Sequence, residues 1–143
     1  MNVATILKHK GPEVVTTGPA TTLQAVAELL THHRIGAVLV VEGQDEIRGI
    51  LSERDIVRAI SARGPACLTM PVTSVMSTPV RTCRSSDTID HLMSLMTSGR
   101  FRHVPVVDGR ALLGVVSIGD VVKLKIAESE LEVAAIRDYI AAH

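Results

Sequence analysis

Apolar positions along this chain follow two rhythms. Leu23, Val26, Ala27 and Leu30 recur at the spacing of a helix face, and Ile89, Leu92, Met93 and Met96 do so again further on. Each helical stretch is followed by a β-branched run (residues 37–41 and 104–107), a short turn and a second run (47–51 and 112–116), which predicts two hairpins. A further helix leaves each unit, over 54–62 and from 119 to about 127. Thr21 with Gln24 reads as a capping box for the first helix, and Ser86-Asp87 as the start of its counterpart. Residues 128–142 read as a last helix in which Leu131, Ala134, Ala135 and Ile140 alternate with charges.

The units are copies. Val14-Val15-Thr16-Thr17 lies 66 positions before Val80-Arg81-Thr82-Cys83, and the same offset takes Leu23 to Ile89, Leu29 to Leu95, Val38 to Val104 and Gly43 to Gly109. The offset then drops to 65, aligning Gly49-Ile50-Leu51-Ser52 with Gly114-Val115-Val116-Ser117 and Asp55-Ile56-Val57 with Asp120-Val121-Val122. The slip falls in a polar turn, where a length change costs little. A lone copy of about 50 residues would bury too little surface to be comfortable by itself, so the two are expected to share a structure.

Composition narrows the function. Fifteen Lys+Arg balance 15 Asp+Glu, which excludes a binder that draws its affinity from excess cations on phosphates or on an anionic membrane. Phe101 and Tyr139 are the only aromatics, too few for a base-stacking platform. No apolar stretch approaches a membrane span or a signal-peptide core, so a cytoplasmic protein is expected. Cys67 and Cys83 have no zinc spacing and read as buried free thiols. There is no Gly-x-Gly-x-x-Gly, Walker loop or His-Glu-x-x-His, and no base partner for the Ser and Asp residues, which reads as a non-enzyme.

The chemistry that remains is the duplicated Gly-h-h-Ser-x-x-Asp, where h is apolar: Gly49 to Asp55 and Gly114 to Asp120. A Ser-x-x-Asp after a strand is in the first place a helix cap. A short carboxylate at a helix start can also accept hydrogen bonds from a vicinal diol, as an acid does for ribose in dinucleotide folds. The Ser hydroxyl and the first free helix amides suit anionic oxygen.

These motifs, together with His103-Val-Pro-Val-Val107, resemble the CBS-domain family, specifically a stand-alone tandem pair (a Bateman module) of the small bacterial type. The resemblance implies an α+β fold of two pseudo-symmetric β-α-β-β-α repeats, each a small sheet packed against helices. It divides the chain into an N-terminal segment (1–13), repeat one (14–62), a linker (63–75), repeat two (76–127) and a C-terminal helix (128–143). It implies that Asp55 and Asp120 hold ribose hydroxyls, with Ser52 and Ser117 supporting ribose or phosphate. Arg54, Arg102 and His103 are its phosphate candidates; Gly119 stands where copy one has Arg54. Thr16, Ile35, Gly36 and Ala37 in one cleft, and Thr82, Val104 and Pro105 in the other, are its adenine candidates.

The resemblance further implies a regulatory module with no catalytic cofactor. Its ligand would be AMP foremost, with ATP, ADP or NAD(H) as alternatives. It also implies a homodimer built on apolar helix faces, Val26, Leu30, Leu92 and Met96 among them, with the last helix adding to the interface. Neither nucleic acid nor membrane is expected as a partner, and no regulated protein target can be named. The competing readings are a dimerisation or interaction module whose clefts stay empty, and a nucleotide-processing enzyme.

Overall fold

The computed structural model describes residues 1–44 and 46–142. Asp45, in the turn that carries the offset slip, and His143, the end assigned to the last helix, lie outside the described residues. The elements are α1 (Val3–Lys10), β1 (Thr16–Thr17), α2 (Leu23–His33), β2 (Ala37–Glu42), β3 (Glu46–Ser52) and α3 (Glu53–Arg63). Two short 3₁₀ helices follow, Pro65–Thr69 and Val72–Ser74, and then α4 (Ile89–Gly99), β4 (His103–Asp108), β5 (Ala111–Ser117) and α5 (Ile118–Ala142).

Lobe one holds a three-stranded sheet in the order β1-β2-β3, with β1 parallel to β2. Lobe two holds the hairpin β4-β5. Its expected first strand shrinks to a single parallel bridge, Cys83 to Val106. Each hairpin shifts register at one equivalent place, between Val40 and Val41 and between Val106 and Val107. The helix predicted over 119–127 and the one predicted from 128 are one continuous α5 of 25 residues, about 37 Å long at 1.5 Å per residue.

The helix starts differ slightly from expectation. Thr22, not Thr21, caps α2, accepting from the Ala25 amide. Thr88, not Ser86-Asp87, caps α4, accepting from the His91 amide. Asp87 instead accepts from the Arg84 amide at 2.8 Å, one turn earlier.

Two separate apolar cores result. Lobe one packs Leu23, Val26 and Leu30 against Val38, Val40 and Leu51, and lobe two packs Ile89, Leu92 and Met96 against Val104, Val106 and Val116. The cysteines are free, and each is buried in its own core. Burial first, then Asp87 and Asp108, push the Cys83 thiol up to about 11, so it is held as an inert thiol.

The cores borrow from beyond their own repeats. Helix α1 packs on lobe two, where Val3 is fully buried and Ile6 nearly so. The Val3 amide donates to the Asp87 carbonyl at 2.9 Å. In turn Cys67 and Val72, from the stretch between the repeats, complete lobe one. The duplicated glycines mark where these segments cross. A Cβ on Gly114 would lie 2.8 Å from Leu7, and one on Gly49 would lie 2.5 Å from the Met76 sulfur. The first Gly of each Gly-h-h-Ser-x-x-Asp is therefore a place of close approach.

Burial corrects one expectation. Val26, Leu30, Leu92 and Met96 are core residues, not open faces for a second copy. The exposed large apolar side chains are instead Val57 and Ile60 on α3, Met93 on α4, and Val122, Ile126, Leu131, Val133, Ile136 and Ile140 among those on α5.

Candidate functional site

Each second hairpin strand runs directly into a helix, so the backbone turns at Ser52 and at Ser117. At the first turn the Ser52 hydroxyl accepts from the Asp55 amide at 3.3 Å, and Asp55 Oδ2 accepts from the Ser52 amide at 2.8 Å and from its hydroxyl at 3.1 Å. At the second turn Ser117 and Asp120 repeat the exchange, at 3.2 Å and 2.8 Å. Both Ser-x-x-Asp motifs are therefore capping boxes. Every hydrogen bond these carboxylates make among the described residues goes to Oδ2. The Oδ1 atoms are left as acceptors.

Two clefts open beside these turns. One, of about 420 Å³, is lined by Ser117, Asp120 and Val115 of lobe two with Val14, Val15, Ile35, Gly36 and Ala37 of lobe one. The other, of about 360 Å³, is lined by Ser52, Asp55 and Ile50 of lobe one with Pro79, Val80, Arg81 and Arg102 of lobe two. The linings exchange under the repeat offset, so each cleft takes its acid from one lobe and its facing backbone from the other.

His103 lines both clefts, and a Cβ on Gly36 would sit 3.1 Å from its Nε2. The starts of β2 and β4 are therefore in contact at the centre of the molecule. Burial is the main influence on His103 and lowers its pKa. Lys10 and Arg102 add to that, while Glu53 and Asp120 oppose it.

The clefts differ in charge. Lys10 reaches from the end of α1 into the first, donating to Asp120 Oδ2 at 2.8 Å and to the Val115 carbonyl at 2.7 Å. Burial would raise the Asp120 pKa, but the hydrogen bonds and charge of Lys10 and the Ser117 bonds outweigh it and hold the carboxyl below its ordinary range. The repeat equivalent of Lys10 is Met76, an apolar residue outside the second lining, so Asp55 has no such partner.

Of the sequence candidates, the structure gathers Ile35, Gly36, Ala37, His103, Ser117 and Asp120 around the first cleft. It gathers Ser52, Arg54, Asp55, Arg102 and His103 around the second. The others fall outside both linings. Val104 and Pro105 are buried. Thr16 and Gly119 are exposed, and Thr82 borders a separate hollow with Cys83 and Asp87. Lys10, Arg58, Arg81 and Arg100 line the clefts and were not singled out from the sequence. Only Arg58, one helical turn after Arg54, carried a local signal. The rest reach a cleft through contacts between lobes.

Two copies of one hairpin-and-helix unit, enclosing two clefts that each draw on both copies, define a tandem pair of the kind the motifs suggested. The chain belongs to the CBS domain family, whose profile matches residues 7–62 and 72–126. It is 32% identical over 123 residues to the mitochondrial CBS domain-containing protein CBSX3 of Arabidopsis thaliana, covering 83% of this chain and 60% of that protein. The fold matches the CBS-domain protein ATU1752 of Agrobacterium tumefaciens with a TM-score of 0.84 at 43% identity, over 87% of this chain and 99% of that one. It also matches, at TM-score 0.80 and 23% identity, the CBS pair of protein MJ0100, solved in complex with 5′-methylthioadenosine and S-adenosyl-L-methionine; the match covers 90% of this chain and 98% of that one. No helix among the described residues is long and apolar enough to cross a membrane.

Proposed function

We propose that this CBS pair is a non-catalytic regulatory module. It binds adenosine nucleotides in its two inter-lobe clefts and passes their level on as a change in shape or partner affinity. AMP is the leading ligand, with ATP, ADP and NAD(H) as alternatives, so the module serves as an energy or redox sensor. It works as a cytoplasmic homodimer.

One observation carries the reading. Each cleft sets a Ser-x-x-Asp carboxylate, with one oxygen spent on the cap and the other open, opposite the backbone of a strand start in the other lobe. A carboxylate oxygen in that position accepts from a ribose diol, and strand-start backbone groups can read an adenine edge. The adenosine-containing ligands of the MJ0100 pair support the same class. The exposed apolar residues of α3 and α5, which run on along the acid-rich end of α5, support a second copy as partner.

Extraction of the purified protein, with mass spectrometry of what it releases, should yield an adenosine nucleotide. Titration calorimetry with AMP, ADP, ATP and NADH should then rank them. A protein that releases nothing and binds none of the four at millimolar concentration would be an interaction module with empty clefts. Turnover of any of the four would make it an enzyme.

A further inference from the structure

The two clefts have the same frame but unequal charge: Lys10 and Arg34 balance Glu13 and Asp120 in the first, whereas the second is strongly cationic. Five arginines line the Asp55 cleft: Arg54 and Arg58 one turn apart on α3, Arg81 on the segment after Pro79, and Arg100 and Arg102 between α4 and β4. Only Glu53 and Asp55 oppose them, leaving an excess of three positive charges. None of the five guanidinium groups forms an ion pair or a hydrogen bond among the described residues. The chain as a whole is neutral, so the cluster does not follow from a basic composition.

Under the repeat offset, Arg54, Arg81 and Arg102 become Gly119, Val15 and Gly36, and Arg58 becomes Lys123, which lies outside the other lining. Only Arg100 has an arginine counterpart in the other cleft, Arg34, and both hold the left-handed C-cap of their helices. Lys10, the other fixed cation there, is already spent on Asp120 and the Val115 carbonyl.

Unpaired like charges gathered in a concave site repel one another, and the site concentrates anions in return. Guanidinium groups also bind phosphate oxygens in pairs. A single phosphate brings about two negative charges near neutral pH and leaves part of the excess uncompensated; a di- or triphosphate chain brings enough. Resting on the nucleotide reading above, we propose that the Asp55 cleft is specific for a nucleoside that carries a polyphosphate chain. Arg81 and Arg100 bind that chain, and the Asp120 cleft does not share the preference.

The test is calorimetry of the full chain with ATP, AMP, adenosine and inorganic tripolyphosphate, on the wild type, on Arg81→Gln and on Arg81→Gln/Arg100→Gln. Both side chains are exposed, and circular dichroism checks that each variant folds. In the wild type, the site that the double variant weakens should bind ATP at least about 10-fold more tightly than AMP, a gap of about 1.4 kcal/mol. Tripolyphosphate should compete with ATP, and added salt should weaken ATP more than adenosine. The double variant should lose about 10-fold or more for ATP and less than about threefold for adenosine, with the single variant between.

Equal affinity for AMP and ATP at that site, or ATP binding untouched in the double variant, would overturn the polyphosphate assignment and leave the nucleotide reading standing. Tripolyphosphate binding without any adenosine compound would overturn the nucleotide reading and with it this proposal. Failure of all four probes to bind would overturn both.

Discussion

Asp120 and Asp55 stand at equivalent positions and make the same capping box, but Lys10 bonds only Asp120. Either residue changed to Ala loses a cap, at a cost of about 1 kcal/mol of stability. Asp120→Ala should cost more, since the partly exposed Lys10 loses its partner as well; urea denaturation of the two variants side by side would show it. The removed acceptor should also weaken nucleotide binding by roughly 10- to 150-fold, the equivalent of roughly 1.5–3 kcal/mol for hydrogen bonds to a charged group. A variant that melts lower but keeps full ligand affinity would reduce the motif to a cap.

His103 gives this scale its pH dependence. Its pKa in the fold lies below the ordinary 6.5, so the unfolded chain binds more protons between the two values. Its contribution to stability is therefore complete above about pH 6.5 and is lost as pH falls through that window. The Asp120 carboxyl, held below 3.8, adds a second loss only at lower pH, as it too protonates. Melting temperature should thus decline as pH falls below about 6.5, and less steeply in His103→Gln. Identical slopes in the two proteins would remove His103 from the account.

At the scale of elements, the repeated hairpins and the helices that follow them were legible because periodicity and the 66-residue offset are local properties of the sequence. Helix caps were blurred where several capping residues stand in a row: Thr21-Thr22, and Ser85-Ser86-Asp87-Thr88. Helix α1 went unread although Asn2, Val3, Ile6 and Leu7 carry a cap and an apolar face. Its core lies more than 80 residues away, around Ile89 and Val106, and no local pattern names that partner.

Its weight can be measured. Ile6→Ala should cost about 2–5 kcal/mol, and Gly114→Ala about 1–3 kcal/mol, because its Cβ would meet Leu7. Equilibrium denaturation checks both. Near-zero values would mean that α1 is only loosely docked.

At the scale of the whole molecule, duplication does more than build two lobes. Because α1 completes lobe two and the stretch between the repeats completes lobe one, the copies interlock, and each cleft is a joint product of both. The carboxylates and Arg102 were visible in the sequence as motif or neighbour. Arg81 and Arg100 were not: they stand beside no chemical motif, and only the packing of the lobes brings them to Asp55. The exposed apolar faces of α3 and α5 predict a dimer, so light scattering at micromolar concentration should give twice the chain mass. Ile126→Glu with Val133→Glu should shift it to the monomer, while a monomeric wild type would leave those faces without their expected partner.

The central claim is that the duplicated carboxylates make two unequal nucleotide clefts. Calorimetric titration of AMP into the wild type and into Asp55→Ala/Asp120→Ala, with the fold of the variant verified by circular dichroism, tests it most directly. The account predicts two sites of different affinity per wild-type chain and the loss of both in the folded variant. Two identical sites in the wild type, or unchanged binding in the variant, would contradict it.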